Sequence, residues 1–189
     1  KAAEYGLIFE YERGELGENT SEAAARASRY NFLNGLAEKY KDGDMPAEIW
    51  TAHHLDDLIE TVAINFVRGT GWRGLAVLDT EGVRRPFLEM ADNDDSWIPW
   101  GKAQIIKYAV ERNLSWREDP TNNSGDYLRN RLRECLDVTP DEKVRIWRLW
   151  NLQKTLRREI DNTIQELLPV DTGVWERSWF RGLDAKVAL

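Results

Sequence analysis

The chain has 189 residues, of which 42% are hydrophobic and 31% charged, and its formal net charge is −7. This composition is typical of a folded chain and excludes disordered and collagen-like proteins. No apolar run approaches the roughly 20 residues of a membrane helix, which excludes an integral membrane protein. The one cysteine, Cys135, excludes an internal disulfide and a cysteine-built zinc or iron–sulfur site, and it favours the cytoplasm as location.

Strands and helices are predicted to alternate in the first half of the chain. In chain order the pattern predicts a strand at 7–11, a helix capped by Asn19, a buried strand at 49–52, a helix at 55–68 ended by Gly69, and a strand at 82–88. This order indicates a parallel α/β sheet, in which ligands bind at the carboxyl ends of the strands.

Helices dominate the second half, with segments predicted at 102–112, 126–136 and 140–168. The last of them is amphipathic, and its apolar residues recur at steps of three and four: Ile146, Leu149, Leu152, Leu156, Ile160, Ile164 and Leu167. We therefore expect an α/β part at 1–95 and an all-helical part at 96–189.

The charges are unevenly distributed. Residues 129–158 contain nine Lys or Arg and four Asp or Glu, although the chain as a whole is acidic. A basic segment in an acidic protein favours docking of a polyanion at one place. The alternative is a solvated helix of mixed charge.

The sharpest chemical pattern lies in residues 53–61, at the junction of a strand and a helix. The apolar residues that follow share one arc of the helix: Leu55, Ile59, Val62 and Phe66. His53, Asp57 and Glu60 lie on the opposite arc, where two carboxylates are able to hold a cationic substrate or a hydrated Mg²⁺, or act as general base. The alternative is that the acids only complement the helix dipole. No protein metal site is predicted, since a matched ligand set is lacking.

Two further patterns suit phosphate groups. Three glycines lie within residues 69–74, flanked by Arg68 and Arg73, although a tight turn explains such a loop equally well. Arg129 and Arg133 are one helical turn apart, and each offers a planar guanidinium fork. Arg85 lies near a strand end, where a plain surface arginine explains it at least as well as a role in binding phosphate.

Taken in order, six segments of the chain resemble the tRNA(Ile)-lysidine synthetases of the PP-loop ATP pyrophosphatase group. The segments are 22–30, 51–61, 68–75, 85–88, 116–122 and 129–133. The resemblance covers residues 5–136 and implies a PP-loop ATPase type of fold. That fold is a partial Rossmann-like parallel sheet with helices, followed by an all-helical C-terminal part.

The resemblance also implies an activity. ATP, with Mg²⁺, adenylates the C2 carbonyl oxygen of the wobble cytidine in an isoleucine tRNA with a CAU anticodon and releases pyrophosphate. The ε-amine of free L-lysine then displaces AMP from C2. Expected partners are that tRNA and lysine, with a homo-oligomer left open. The implied catalytic residues are Asp57, Glu60 and Arg129. The implied nucleotide-binding residues are Arg26, His53, Gly69 and Gly71. The implied substrate- and tRNA-binding residues are His54, Asp56, Trp72, Arg85, Asn130 and Arg133.

One departure from the family is serious. The phosphate-cradling string Ser-Gly-Gly-x-Asp-Ser is missing from this sequence, which begins at Lys1. We expect a truncated piece, a second polypeptide that supplies the loop, or a lost activity. Two other classes therefore stay open. One is a non-catalytic module that binds tRNA or a partner, and the other is a Mg²⁺-dependent phosphohydrolase that uses His53 and the acids after it.

Overall fold

A computed structural model describes residues 2–14, 17, 20–45, 47–89, 99–117, 132 and 135–167. Its elements in chain order are α1 (Glu22–Lys39), β1 (Ile49–Trp50), α2 (Leu55–Val67), β2 (Val83–Arg84), α3 (Pro86–Glu89), α4 (Lys102–Glu111) and α5 (Pro140–Leu167). Short 3₁₀ turns lie at Ala2–Tyr5 and Trp72–Leu75. Within these ranges, no helix is both long and apolar enough to cross a membrane.

The chain divides into two compact units that are interleaved in sequence. The first unit contains Lys1–Leu55 and Thr80–Asn113, and the second contains Asp56–Asp79 and Leu114–Leu189. The expected division into 1–95 and 96–189 stays a prediction, because residues 90–98 lie outside the described ranges.

The first unit is built on a parallel strand pair covered by a helix. Ile49 pairs with Val83 and Trp50 with Arg84. Ala37 of α1 is buried with Ile49 and Val83, and Tyr30 and Leu33 of the same helix pack on this cluster. The predicted parallel α/β arrangement is thereby confirmed, with strands shorter than the sequence pattern indicated.

Residues 7–11 do not form the predicted strand. Ile8 and Phe9 are 73% and 74% exposed, and the segment has no strand partner among the described residues. It is fastened to the end of α1 instead, because Glu10 accepts hydrogen bonds of 2.5 Å from Lys39 and Tyr40. These bonds, led by the one from Lys39, lower the pKa of Glu10. A β-prone pattern alone therefore did not produce a strand here.

Two predicted element limits are also corrected. The N-cap of α1 is Ser21 rather than Asn19, because the Ser21 hydroxyl accepts a hydrogen bond from the N–H of Ala24 at 3.2 Å. The strand predicted at 82–88 ends at Arg84, and α3 begins at Pro86. Proline has no N–H for a sheet but suits the first position of a helix.

In the second unit, α5 lies along the segment from Trp72 to Asp79. The indole of Trp150, 2% exposed, donates to the carbonyl of Val77 at 2.7 Å, and Gln153 donates to the carbonyl of Trp72 at 2.9 Å. Lys154 is 8% exposed, with its ammonium 3.8 Å from the Asp79 carboxylate and 4.1 Å from the Trp150 ring centre. The packed face of α5 is therefore built from tryptophan and long basic side chains.

Three leucines of the apolar stripe predicted for α5 do not face this packed segment, whereas Ile146 and Ile160 of the same stripe are half-buried. Leu149, Leu152 and Leu156 are 65%, 67% and 48% exposed. Long basic side chains occupy the packed face instead, because their aliphatic stems can be buried while their charged ends reach Asp79. The apolar arc predicted on α2 is wrong at Phe66, which is exposed, and correct at Leu55 and Ile59, which are buried.

The start of α5 offers a test of local stability. Thr139 precedes Pro140, and its N–H and hydroxyl donate to the Glu142 carboxylate at 2.9 and 2.7 Å, while the Glu142 N–H donates back at 3.4 Å. These bonds from Thr139, with help from Arg145, lower the pKa of Glu142. Thr139→Ala is expected to reduce the free energy of unfolding by about 1 kcal/mol in urea titrations at neutral pH.

The pH dependence and a control sharpen that test. Folding lowers the pKa of Glu142. Its carboxylate therefore contributes fully to the free energy of unfolding when the pH is above the ordinary glutamate pKa of about 4.3, and this contribution is lost as the pH falls through the pKa of the folded state. The difference between the wild type and Thr139→Ala should therefore shrink in acid. Thr155→Ala, in the middle of the same helix, should not reduce stability. Equal unfolding midpoints for Thr139→Ala and the wild type would contradict the cap.

Candidate functional site

The carboxyl ends of β1 and β2 lie at one edge of the parallel pair, and polar residues follow both. The N–H of Thr51 donates to the carbonyl of Arg84 at 2.9 Å, which extends the ladder past β1. The Thr51 hydroxyl and Nδ1 of His53 share a hydrogen bond of 2.8 Å. Arg85 directly follows β2, so that His53 and Arg85 leave the sheet at the same edge, where ligands of parallel sheets bind.

Arg85 is 1% exposed, so the alternative of a plain surface arginine is wrong. Its Nη1 donates to the carbonyl of Val83 at 3.1 Å, whereas its Nε and Nη2 have no hydrogen-bond partner among the described residues. Burial lowers the pKa of Arg85, and the nearby Tyr30 and Glu89 oppose that effect. A buried guanidinium with open donors is costly unless an acceptor reaches it, so the arrangement fits an anionic ligand.

A second arginine lies near this group. Arg26 of α1 donates to the Tyr30 hydroxyl at 3.4 Å and lies 4.9 Å from the centre of that ring. Its charge also contributes to lowering the pKa of Arg85, after the larger effect of burial. The structure thus brings together Arg26 and Arg85 from segments about 60 residues apart in the sequence. Sequence reasoning missed Tyr30, although its spacing of four from Arg26 on one helix was a usable signal.

The first residue of α2 is anchored within the first unit. The N–H of Leu55 donates to the carbonyl of Trp100 at 2.9 Å, and the N–H of Trp100 donates to the carbonyl of Phe87 at 3.1 Å. The rings of Phe87 and Trp100 are stacked with centres 5.9 Å apart. These contacts fix the position at which His53 and His54, both half-buried, lead into the helix. Sequence reasoning did not find the Trp100 anchor.

The acids of α2 belong to the second unit and differ from one another. Asp56 forms an ion pair of 2.5 Å with Lys143 of α5, and Asp57 is half-buried. Glu60 is 4% exposed, so the predicted outward arc of Asp57 and Glu60 is wrong for Glu60. The prediction assumed a single buried arc. Leu58 and Glu60 lie about 160° apart around the helix, yet both are buried, which means that the helix is covered on more than one side.

The glycine loop after α2 has a structural explanation. Gly69, with φ of 71°, ends the helix through a hydrogen bond from its N–H to the carbonyl of Phe66 at 3.0 Å. Gly71 precedes the Trp72–Leu75 turn. A Cβ at Gly74 would lie 1.8 Å from the Thr70 hydroxyl oxygen, so only glycine fits. The turn therefore accounts for Gly69 and Gly74 but not for Gly71, whose φ is −70° and where an added Cβ would meet nothing within 4 Å. A phosphate-binding role for Gly69 and Gly71 stays a prediction.

Trp72 is partly open to solvent. Its ring is 40% exposed and lies 4.7 Å below the guanidinium carbon of Arg73, which pairs with Asp161. Arg129, Asn130 and Arg133 lie outside the described residues. Within the described ranges, no three His, Cys, Asp or Glu side chains come together as a metal-ion cluster.

Comparisons with known proteins agree with one another. Residues 2–140 match the model of a family described as PP-loop domain. The tRNA(Ile)-lysidine synthase of Thermotoga maritima is 31% identical over 156 residues, covering 79% of this chain and 34% of that protein. The tRNA(Ile)-lysidine synthase of Bdellovibrio bacteriovorus is 40% identical over 116 residues, covering 60% of this chain and 32% of that protein. The tRNA(Ile)-lysidine synthase of Ralstonia nicotianae is 34% identical over 138 residues, covering 71% of this chain and 28% of that protein. The chain thus spans about a third or less of the length of these relatives.

Proposed function

Because the chain belongs to the PP-loop domain family, we propose that it is part of a tRNA-modifying ligase of the tRNA(Ile)-lysidine synthetase type. The proposed reaction joins lysine to C2 of the wobble cytidine in a CAU-anticodon isoleucine tRNA, with activation of the base by ATP. Identities of 31–40% to relatives named tRNA(Ile)-lysidine synthase support this proposal. The cytoplasm, where such tRNAs are modified, is the proposed location.

The observation that carries the proposal is the buried guanidinium of Arg85 at the carboxyl edge of the sheet. Its open Nε and Nη2 donors fit a phosphate group. The guanidinium is planar and can donate two parallel hydrogen bonds to such a group, which the ammonium of a lysine cannot do. Arg26 and His53 are the proposed neighbours of the nucleotide on this edge. ATP, accompanied by Mg²⁺ bound to its phosphate oxygens, supplies the adenylyl group.

The second unit provides the proposed groups for lysine. Asp57, which is half-buried, is the proposed group that binds the incoming ammonium, and the buried Glu60 is the second proposed carboxylate of this site. A carboxylate beside the amine also suits removal of its proton before attack. The roles proposed by resemblance for the remaining residues are pyrophosphate stabilisation or tRNA contact: His54, Asp56, Gly69, Gly71, Trp72, Arg129, Asn130 and Arg133.

The deciding experiment combines the chain with ATP, labelled lysine and the CAU-anticodon tRNA. It is run with and without an added polypeptide that carries Ser-Gly-Gly-x-Asp-Ser. We expect label in the tRNA that depends on both ATP and the anticodon. Tight tRNA binding without any incorporation would favour the non-catalytic module. Metal-dependent phosphoester hydrolysis that ignores lysine would favour the phosphohydrolase.

Substitution of Asp57 tests the proposed lysine site. Asp57→Asn keeps the shape of the side chain but removes its charge, and a charge-assisted hydrogen bond contributes roughly 1.5–3 kcal/mol. We therefore expect the KM for lysine to rise by about 10- to 100-fold, with ATP-dependent pyrophosphate release unchanged. Glu111→Gln, at the exposed end of α4, should change neither quantity. Equal losses in both steps for Asp57→Asn would contradict an amine-binding role.

A further inference from the structure

A short segment around Trp100 is bonded to both chain segments that leave the carboxyl edge of the sheet. Pro99 and Gly101 are buried, and Trp100 between them is half-buried. The carbonyl of Trp100 accepts from the N–H of Leu55 at 2.9 Å, and its own N–H donates to the carbonyl of Phe87 at 3.1 Å. The main chain of Trp100 thus links the segment after β1 to the segment after β2.

The indole ring of Trp100 lies within a row of aromatic side chains. It stacks on the Phe87 ring, with centres 5.9 Å apart and 19° between the ring planes. The Tyr108 ring of α4 meets the indole at 5.7 Å and 60°, and the guanidinium carbon of Arg112 lies 5.1 Å from the centre of Tyr108. Rings at these distances attract one another beyond the effect of burial. The indole therefore connects Phe87 to α4.

Phe87 shares one helical turn with Arg85. The carbonyl of Arg85 accepts from the N–H groups of Leu88 and Glu89 at 2.8 and 3.0 Å. The N–H of Arg85 donates to the Glu89 carboxylate at 3.1 Å. Because the main chain of Arg85 belongs to the turn that carries Phe87, a shift of this turn moves the buried guanidinium with it.

We propose that Trp100 is a positioning residue of the phosphate site, whose ring holds the turn of Phe87 and thereby the guanidinium of Arg85 in place. The inference rests on the proposed function, since it takes the open donors of Arg85 to bind a phosphate group. A displacement of about 1 Å is enough to weaken a site of this kind by a large factor. The stack on Phe87 therefore sets how well the site binds.

Titration calorimetry with inorganic pyrophosphate, at a temperature where every variant is folded, measures the site directly. The wild type should bind the probe, and Arg85→Met should abolish binding. Trp100→Leu should weaken binding about 10-fold or more, because the ring that holds the turn is lost. Trp100→Phe, which keeps an aromatic ring in the row, should bind within about three-fold of the wild type. Each variant of Trp100 keeps the main-chain groups of that residue, so the comparison isolates the ring.

The other ring of the stack tests the route of the effect. Phe87→Leu is a smaller change in volume and should weaken pyrophosphate binding as much as Trp100→Leu does. The double variant should lose no more than either single variant, because both substitutions remove the same contact. Losses that multiply in the double variant would mean that the two rings act separately, which overturns the proposal.

A buried tryptophan of the second unit provides the matched control. Trp150→Leu should lower the melting temperature and leave the affinity for pyrophosphate unchanged. A folded Trp100→Leu protein that binds pyrophosphate as tightly as the wild type overturns the positioning role alone, and so does a Trp100→Phe protein that binds no better than Trp100→Leu. A wild type that does not bind pyrophosphate overturns the phosphate site of the proposed function, and the role of Trp100 with it.

Discussion

Arg85→Met should abolish most of the nucleotide-dependent activity while leaving the fold intact or more stable. The guanidinium is buried with two open donor atoms, so its charge opposes folding in the free protein. A methionine of similar length removes that cost, as hydrophobic replacement of buried charges often does. If the open donors bind a phosphate oxygen during base activation, their loss should reduce pyrophosphate release at least about 100-fold.

The measurement compares pyrophosphate release, in the presence of the tRNA and ATP, with the melting temperature of the same samples. Arg84→Met is the matched control, because Arg84 is the neighbouring arginine but its side chain is 49% exposed and pairs with Glu89. Its rate of release should stay within about two-fold of the wild type. An Arg85→Met protein that is fully active would remove the main support for the proposed site. A less stable and fully active one would show that Arg85 is purely structural.

Trp150→Ala should be the most destabilising single substitution in the second unit. The side chain is 2% exposed, and its indole N–H donates to the carbonyl of Val77 at 2.7 Å. Truncation leaves a large cavity and an unsatisfied carbonyl, and it also removes the ring on which the Lys154 ammonium rests. Large-to-small changes of this kind reduce the free energy of unfolding by about 3–5 kcal/mol.

Another tryptophan provides the control for that experiment. Trp50 is 65% exposed on β1, where its indole N–H donates to Glu48 at 3.0 Å. Trp50→Ala should cost less than about 1 kcal/mol in the same urea titration. Similar losses for the two variants would mean that α5 does not depend on Trp150 for its packing.

Features encoded by short stretches of chain were predictable from the sequence. Gly69 with its positive φ ended α2, and Pro140 opened α5, because single residues control helix ends. The parallel pairing of the strands at 49 and 83 followed from the order of strands and helices. The PP-loop family was likewise predictable, from the order of its motifs.

Which side of a helix is buried was not predictable from apolar spacing. On α5 the leucines are exposed, and Lys154 is buried beside Asp79. On α2 Glu60 is buried although its position suggested an outward carboxylate. Periodicity assumes that each helix has one apolar contact side, whereas both helices bury a polar side chain, and on α5 the carboxylate beside it is 75 residues away in the sequence. The burial of Arg85 after β2 was not predictable either, because no local pattern marks an arginine whose side chain is covered by other segments.

The backbone link between Leu55, Trp100 and Phe87 has a practical consequence. The amide proton of Leu55 is held by a carbonyl 45 residues later in the chain, and not by a turn of its own helix. Deuterium uptake at this one position therefore reports whether the strand-to-helix junction is assembled. The measurement needs neither ligand nor catalytic turnover. It therefore distinguishes an inactive variant whose junction is disrupted from an inactive variant whose junction is intact.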